Sequence, residues 1–137
     1  MKNNKKDIKT EEKKSKKYIF YVAKGSIVAT LISIVLIFIM SVILTFSNVS
    51  ETIIPTSVII ISSLSVLAGS ILSAIGLNKN GLINGATVGI VYILIIYILS
   101  SIMTTEFNIN VKSLIMALVS ITTGMVGGII GVNIRKN

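Results

Sequence analysis

The sequence predicts an all-α integral membrane protein: a four-helix bundle with short loops and a disordered basic N-terminal tail. Three observations predict it. Of the 137 residues, 53% are hydrophobic and only 13% charged, and a mean hydropathy of +0.90 does not suit a chain that folds in water. Four stretches carry no charge, at residues 25–50, 52–78, 80–105 and 113–134. Each exceeds the roughly 20 residues that a helix needs to cross a hydrocarbon core of about 30 Å. Finally, the charge is concentrated at one end: Lys2, Lys5, Lys6, Lys9, Lys13, Lys14, Lys16, Lys17 and Lys24 precede the first apolar run, against Asp7, Glu11 and Glu12.

Residues 1–24 form the tail. Ile8 is the only large aliphatic residue before Tyr18, so no apolar stripe organises the segment and disorder is expected. Its lysines have two readings, as charge that fixes topology or as contacts to anionic lipid head groups, each worth about 1 kcal/mol near the surface. Nucleic acid is not an expected partner, because the tail has no arginine and no folded platform around it.

Residues 25–137 form the membrane domain, with spans at about 26–46, 54–77, 82–103 and 113–134. These runs are apolar all round, which excludes a soluble bundle, and they lack the period-two alternation of a barrel strand. The first is too long for a signal peptide and leads into Ser47, Asn48, Val49 and Ser50 without a small-x-small site. It is mostly Ile, Val and Leu, with Ser33, Ser41 and Thr45, and is expected to be peripheral.

The other three spans carry small-residue faces. Helices in lipid gain nothing from hydrophobic burial against one another, so close approach at small residues has to hold them together. The second span has Ser62, Ser65, Gly69, Ser73 and Gly76 at spacings of three and four. The third opens with Gly81, Gly85 and Gly89, and Tyr92 continues that face. The fourth has Ser120, Gly124, Gly127, Gly128 and Gly131. These faces either pack the monomer, or serve as a dimer face or a path lined by exposed backbone. Asn84 and Asn133 lie at similar depth on an antiparallel pair, where their amides either bond to each other or to a partner, or reach interfacial water. The Tyr92 hydroxyl, near mid-membrane, needs a serine or threonine partner. Tyr18, Phe20, Tyr21, Phe46 and Phe107 suit the aromatic belts of the two interfaces.

The segments AGSILSAIGLNKN (residues 68–80) and VGGIIGVNIRKN (126–137) both run from small residues through Ile to a basic end. They are read either as a trace of duplicated hairpins or as low-complexity coincidence.

Several chemistries are closed. Cysteine and histidine are absent, and no span holds an ionisable residue of the kind that marks proton or cation coupling. Glu51 and Glu106 sit in the loops opposite the tail, too few oxygens for a metal site. No catalytic constellation, cofactor or metal site is expected. Orientation follows the positive-inside bias: with the N-terminus inside, twelve basic residues are cytoplasmic and only Lys112 lies outside. Both termini are thus expected in the cytoplasm of a cell-membrane protein.

The pattern Gly81, Asn84, Gly85, Gly89, Tyr92 (GxxNGxxVGxxY), followed by Gly124, Gly127, Gly128, Gly131, Val132, Asn133 (GxxGGxxGVN), resembles a YrzE-like family of small four-pass membrane proteins of unknown function from Gram-positive bacteria. The likeness covers roughly residues 61–137 and implies the fold without an activity. The single lysine between Asn78 and Asn80 departs from the more basic loop that the resemblance implies. Two function classes follow: a non-enzymatic interaction protein, either an accessory subunit or a homo-oligomer packed through its glycine faces, and a small oligomeric channel or transporter. For the topology, a cysteine at Ser50 or Asn108 should react with an impermeant reagent on whole cells while one at Asn80 is protected; the reverse pattern overturns N-in, C-in.

Overall fold

The computed structural model describes residues 2–77, 79–105 and 109–137. They form four long helices, α1 (Lys2–Phe46), α2 (Ile54–Leu77), α3 (Gly81–Met103) and α4 (Val111–Lys136), with one 3-10 turn at Glu51–Ile53 before α2. All four are long and apolar enough to cross a membrane, and they pack into an all-α membrane bundle. Glu106, Phe107 and Asn108 of the last hairpin lie outside the described residues, as does Asn78.

The tail departs from the expected disorder, because α1 is a single helix of 45 residues that starts at Lys2. Its physical origin is cooperative. A membrane-spanning helix already supplies the nucleus, so each added residue costs only propagation, and Lys and Glu propagate well. No glycine or proline interrupts residues 2–24, and Glu12 and Lys16 stand at the favourable i, i+4 spacing. At 1.5 Å per residue, α1 is about 67 Å long.

Two local features set the ends of α2. Pro55 occupies its first turn, where a missing N–H removes no helical bond. Beyond Leu77 the chain reverses within three residues, and Asn80 (φ 47°, ψ 53°) takes the left-handed conformation that asparagine tolerates.

Around the bundle the order is α1, α2, α4, α3. Helices α2 and α3 meet across the middle, while α1 and α4 do not touch among the described residues. Both chain ends and the α2–α3 turn share one end, here the terminal end; the α1–α2 and α3–α4 connections form the hairpin end. Both hairpins run in the same direction. A two-fold relation between them would nevertheless give α1 and α4 the contact that α2 and α3 have, and they lack it.

The surface is apolar, with Leu31, Ile34, Phe38, Ile98 and Leu118 among the many exposed large side chains. The interior is the reverse. Among the described residues its buried hydrophobic ones are only Val22, Ala29, Val66, Ala74, Val88 and Tyr92, against nine buried polar ones. That inversion is what a lipid solvent permits, because interior hydrocarbon gains nothing over lipid while hydroxyls can bond within the bundle.

Close backbone contact fills the place of a hydrocarbon core. All ten glycines are helical, none has a positive φ, and a Cβ added at any of them would come within 3.0 Å of atoms on another helix. The absent side chain, then, and not backbone freedom, is what each glycine provides. Gly81, Gly85 and Gly89 of α3 face Gly128, Gly124 and Ser120 of α4, so each step of four along one helix meets a step of four along its antiparallel neighbour. The other side of α4 presents Gly127 and Gly131 to the α2 backbone at Leu67 and Ile71 in parallel register, with Ser70 and Ala74 alongside.

Helix α1 is not the peripheral helix that its mostly Ile, Val and Leu composition predicts, but packs on α2 and α3. Gly25, Ala29 and Ser33, at steps of four, make a small-residue face, with Gly25 set against Gly69 and Ser73, and Ala29 against Gly69. Nearer the terminal end, Gly76 accommodates the Tyr21 ring. On the hairpin side of this face, from Ile34 onward, α1 is largely exposed.

Gly85→Leu should lower bundle stability by about 3 kcal/mol, since backbone rather than a flexible side chain must give way. Ile129→Ala on the exposed face should stay within about 0.5 kcal/mol. Thermal or denaturant unfolding in detergent measures both.

Candidate functional site

Three features could carry function: a polar seam inside the bundle, a wedge between two helices, and the lysine-bearing arm.

The seam lies between the terminal end and mid-membrane. Ser33 on α1, Ser65, Ser70 and Ser73 on α2, Asn84 and Tyr92 on α3, and Ser120 on α4 are all at most 1% exposed. They face inward because the glycines beside them draw the helices close, leaving the short polar side chains as the filling. Tyr92 Oη donates to Ser33 Oγ at 3.0 Å, joining α3 to α1 with the serine partner its hydroxyl requires. Ser73 Oγ donates to Asn84 Oδ1 at 3.1 Å, joining α2 to α3. Ser26, Thr30 and Ser65 turn instead to the carbonyls of Val22, Ser26 and Ile61 on their own helices. Among the described residues two buried side-chain polar atoms have no partner, Ser70 Oγ and Asn84 Nδ2.

Asn133 is exposed on α4, so the direct Asn84–Asn133 pair does not form. Equal depth on antiparallel helices does not fix azimuth: Asn84 points to the bundle centre and meets α2, whereas Asn133 lies off the two glycine faces of α4. Of the other residues singled out in the sequence, Gly69 and Gly76 serve the α1–α2 contact, Gly81, Gly85, Gly89, Gly124 and Gly128 the α3–α4 contact, and Gly127 and Gly131 the α2–α4 contact.

Sequence reasoning missed three ties at the terminal end. Tyr18 Oη bonds Thr87 Oγ1 at 2.8 Å; Thr87 already donates to the Ile83 carbonyl, so the tyrosine is the donor. Arg135 Nη1 donates to the carbonyls of Ile75 and Gly76, capping the last turn of α2 from the last turn of α4. The Gly25, Ala29, Ser33 face was detectable by its spacing alone. The Arg135 cap was not, since it depends on α2 and α4 being parallel neighbours.

The wedge opens at the hairpin end, where α1 and α2 part around a groove of about 460 Å³. Ile37, Leu44 and Val58 line it together with Ser41, Thr45 and Ser57, and Glu51 stands at its mouth.

The arm, residues 2–17, is exposed throughout. Helical geometry sorts its charges. Lys2, Lys5, Lys6, Lys9, Lys13, Lys16 and Lys17 fall within an arc of about 120°, with Glu12 at its edge, while Asp7, Glu11 and one lysine, Lys14, fall on the opposite side. The acidic side is in line with Gly25 and Ala29, which face the bundle. The lysine stripe is in line with Phe20, Ile27, Leu31 and Phe38, which face outward.

A family model described as "Protein of unknown function (DUF3792)" matches residues 18–131. The match includes every glycine and the whole polar seam, and leaves out the lysine arm. No curated protein and no solved structure matches the chain.

In a double-mutant cycle, Asn84→Leu and Asn133→Leu should be additive, whereas Asn84→Leu and Ser73→Ala should couple by about 0.6 kcal/mol. Unfolding of the four variants in one detergent measures both terms.

Proposed function

The chain belongs to this DUF3792 family of unknown function, and on that premise we propose that it is a non-enzymatic membrane interaction protein, an accessory subunit whose partner places a transmembrane segment in the α1–α2 wedge. The observation that carries this reading is the wedge itself. A gap of this size between two helices has to be filled, since unmet surface forfeits its dispersion contacts. Lipid chains meet its aliphatic wall well but leave Ser41 and Ser57 without hydrogen-bond partners, whereas a protein helix can carry polar side chains to them.

The ten glycines are engaged within the monomer, so self-association through glycine faces loses its support. A homo-oligomer would have to use the wedge. On this reading the termini are cytoplasmic in a cell membrane, and the YrzE-like likeness and Gram-positive source are part of the same proposal. Lys13, Lys16 and Lys17, next to the aromatic belt of Tyr18, Phe20 and Tyr21, then lie near anionic head groups. Lys2 stands about 24 Å beyond Tyr18 along the helix, past a Debye length of about 8 Å, and is available to a partner in the cytoplasm. The alternative, a small channel or transporter, draws on the polar seam, and solute flux through the purified protein in liposomes tests it.

The chain has no cysteine, so Ser57→Cys gives a single crosslinking site in the wedge. In native membranes it should yield a stoichiometric adduct with a foreign membrane protein, which Ile129→Cys on the exposed face of α4 does not yield. An adduct between copies of this chain would assign the wedge to a homo-oligomer. Absence of any Ser57→Cys adduct overturns the proposal.

A further inference from the structure

Inside the terminal half of the bundle, the amide of Asn84 and the hydroxyl of Ser70 are both fully buried, and each leaves a hydrogen-bonding atom without a partner. For Asn84 this does not depend on how the amide is turned. Ser73 satisfies one end in either orientation, as donor to Oδ1 or acceptor from Nδ2, and the other end is left over. Backbone N–H groups are used by the continuous ladders of α2 and α3, and neither orphan turns to a carbonyl of its own helix as Ser26, Thr30 and Ser65 do. Two such orphans are unusual, because an unmet polar group buried in an apolar surrounding is costly.

The region is also reachable. A narrow cleft of about 80 Å³ lies between α1 and α2, lined by Tyr21, Lys24, Gly25, Val28, Leu72 and Ser73. Its inner wall includes Ser73, the hydroxyl bonded to Asn84, and Lys24 lies at the exposed surface of α1. A cleft of this size has room for water beside the Ser73 hydroxyl. Ser70 lies one turn from Ser73 along α2, on the side turned toward α4, with its Cβ packed close to Gly127.

We propose that the bundle interior binds water: the free end of the Asn84 amide and the Ser70 hydroxyl hold ordered water that enters from the terminal end through the Lys24 cleft. The guest must be small and must both donate and accept hydrogen bonds, because Ser70 can do either and the amide end is a donor in one orientation and an acceptor in the other. Water meets each requirement. The seam beyond, through Ser65, Ser33 and Tyr92, is internally bonded, so hydration stops below mid-membrane and the bundle remains sealed.

Water-to-protein polarisation transfer in solid-state NMR tests this with the whole chain, labelled with ¹⁵N-asparagine and reconstituted in lipid. Asn133, exposed on α4, is the positive control. Transfer to the Asn84 side-chain amide as well as to Asn133 supports the site; transfer to Asn133 with a dry Asn84 overturns it. Ser70→Ala leaves the amide in place and should at least halve its transfer, and an unchanged signal overturns the part assigned to Ser70. Stability reads the same question by its sign. Asn84→Leu should lower the Tm if the amide is hydrated; a raised Tm would mean that a dry, unpaired amide had been removed, and would sink the proposal.

Discussion

Everything in this bundle depends on backbone meeting backbone. Lipid is as good a solvent for leucine as another helix is, so the four helices cannot be held by expelling apolar surface. What remains is dispersion at short range, together with Cα–H groups facing carbonyl oxygens where a side chain would otherwise intervene. The α3–α4 seam of Gly81, Gly85 and Gly89 against Gly128, Gly124 and Ser120 is the clearest case, and Gly25 against Gly69 repeats it in the first hairpin. Once these contacts fix the helix separations, the space left at the centre suits only short side chains. The buried serines and the one buried asparagine are thus a result of the seam, not independent of it.

The same constraint grades the molecule along the membrane normal. All ten glycines, the Arg135 cap and the Tyr18–Thr87 bond belong to the terminal half. Toward the hairpin end the facing residues become branched and large, and α1 and α2 separate around the wedge. Closed packing at one end and an open groove at the other follow from where the sequence spends its small residues.

Much of this was legible in the sequence. Uncharged length alone located the helices, because the hydrocarbon core imposes a minimum span, and steps of four in small residues identified the faces of α2, α3 and α4. Azimuth was harder. Pairing Asn84 with Asn133 needed only equal depth to be conceived, but needed the bundle order to be judged, and that order brings Asn84 to Ser73 on α2. The helical arm was missed because apolar periodicity is silent about a segment whose helix is seeded from a neighbouring span rather than by its own packing. The Gly25, Ala29, Ser33 face was hidden by the more numerous aliphatic residues beyond it.

The continuity of α1 has a mechanical meaning. Its contacts to the bundle are concentrated between Val22 and Ser33, close to the middle of a rod running from Lys2 to Phe46. A stiff rod gripped near its centre is a lever with arms of similar length, about 34 Å to Lys2 and about 32 Å to Phe46 from Gly25 at 1.5 Å per residue. Sideways force on the lysine-bearing tip therefore swings Phe46 in the opposite direction by a comparable distance, and the glycine contact at Gly25 and Gly69 is the fulcrum. On this geometry, load at the lysine-bearing tip would reach the groove at the hairpin end with its sign reversed.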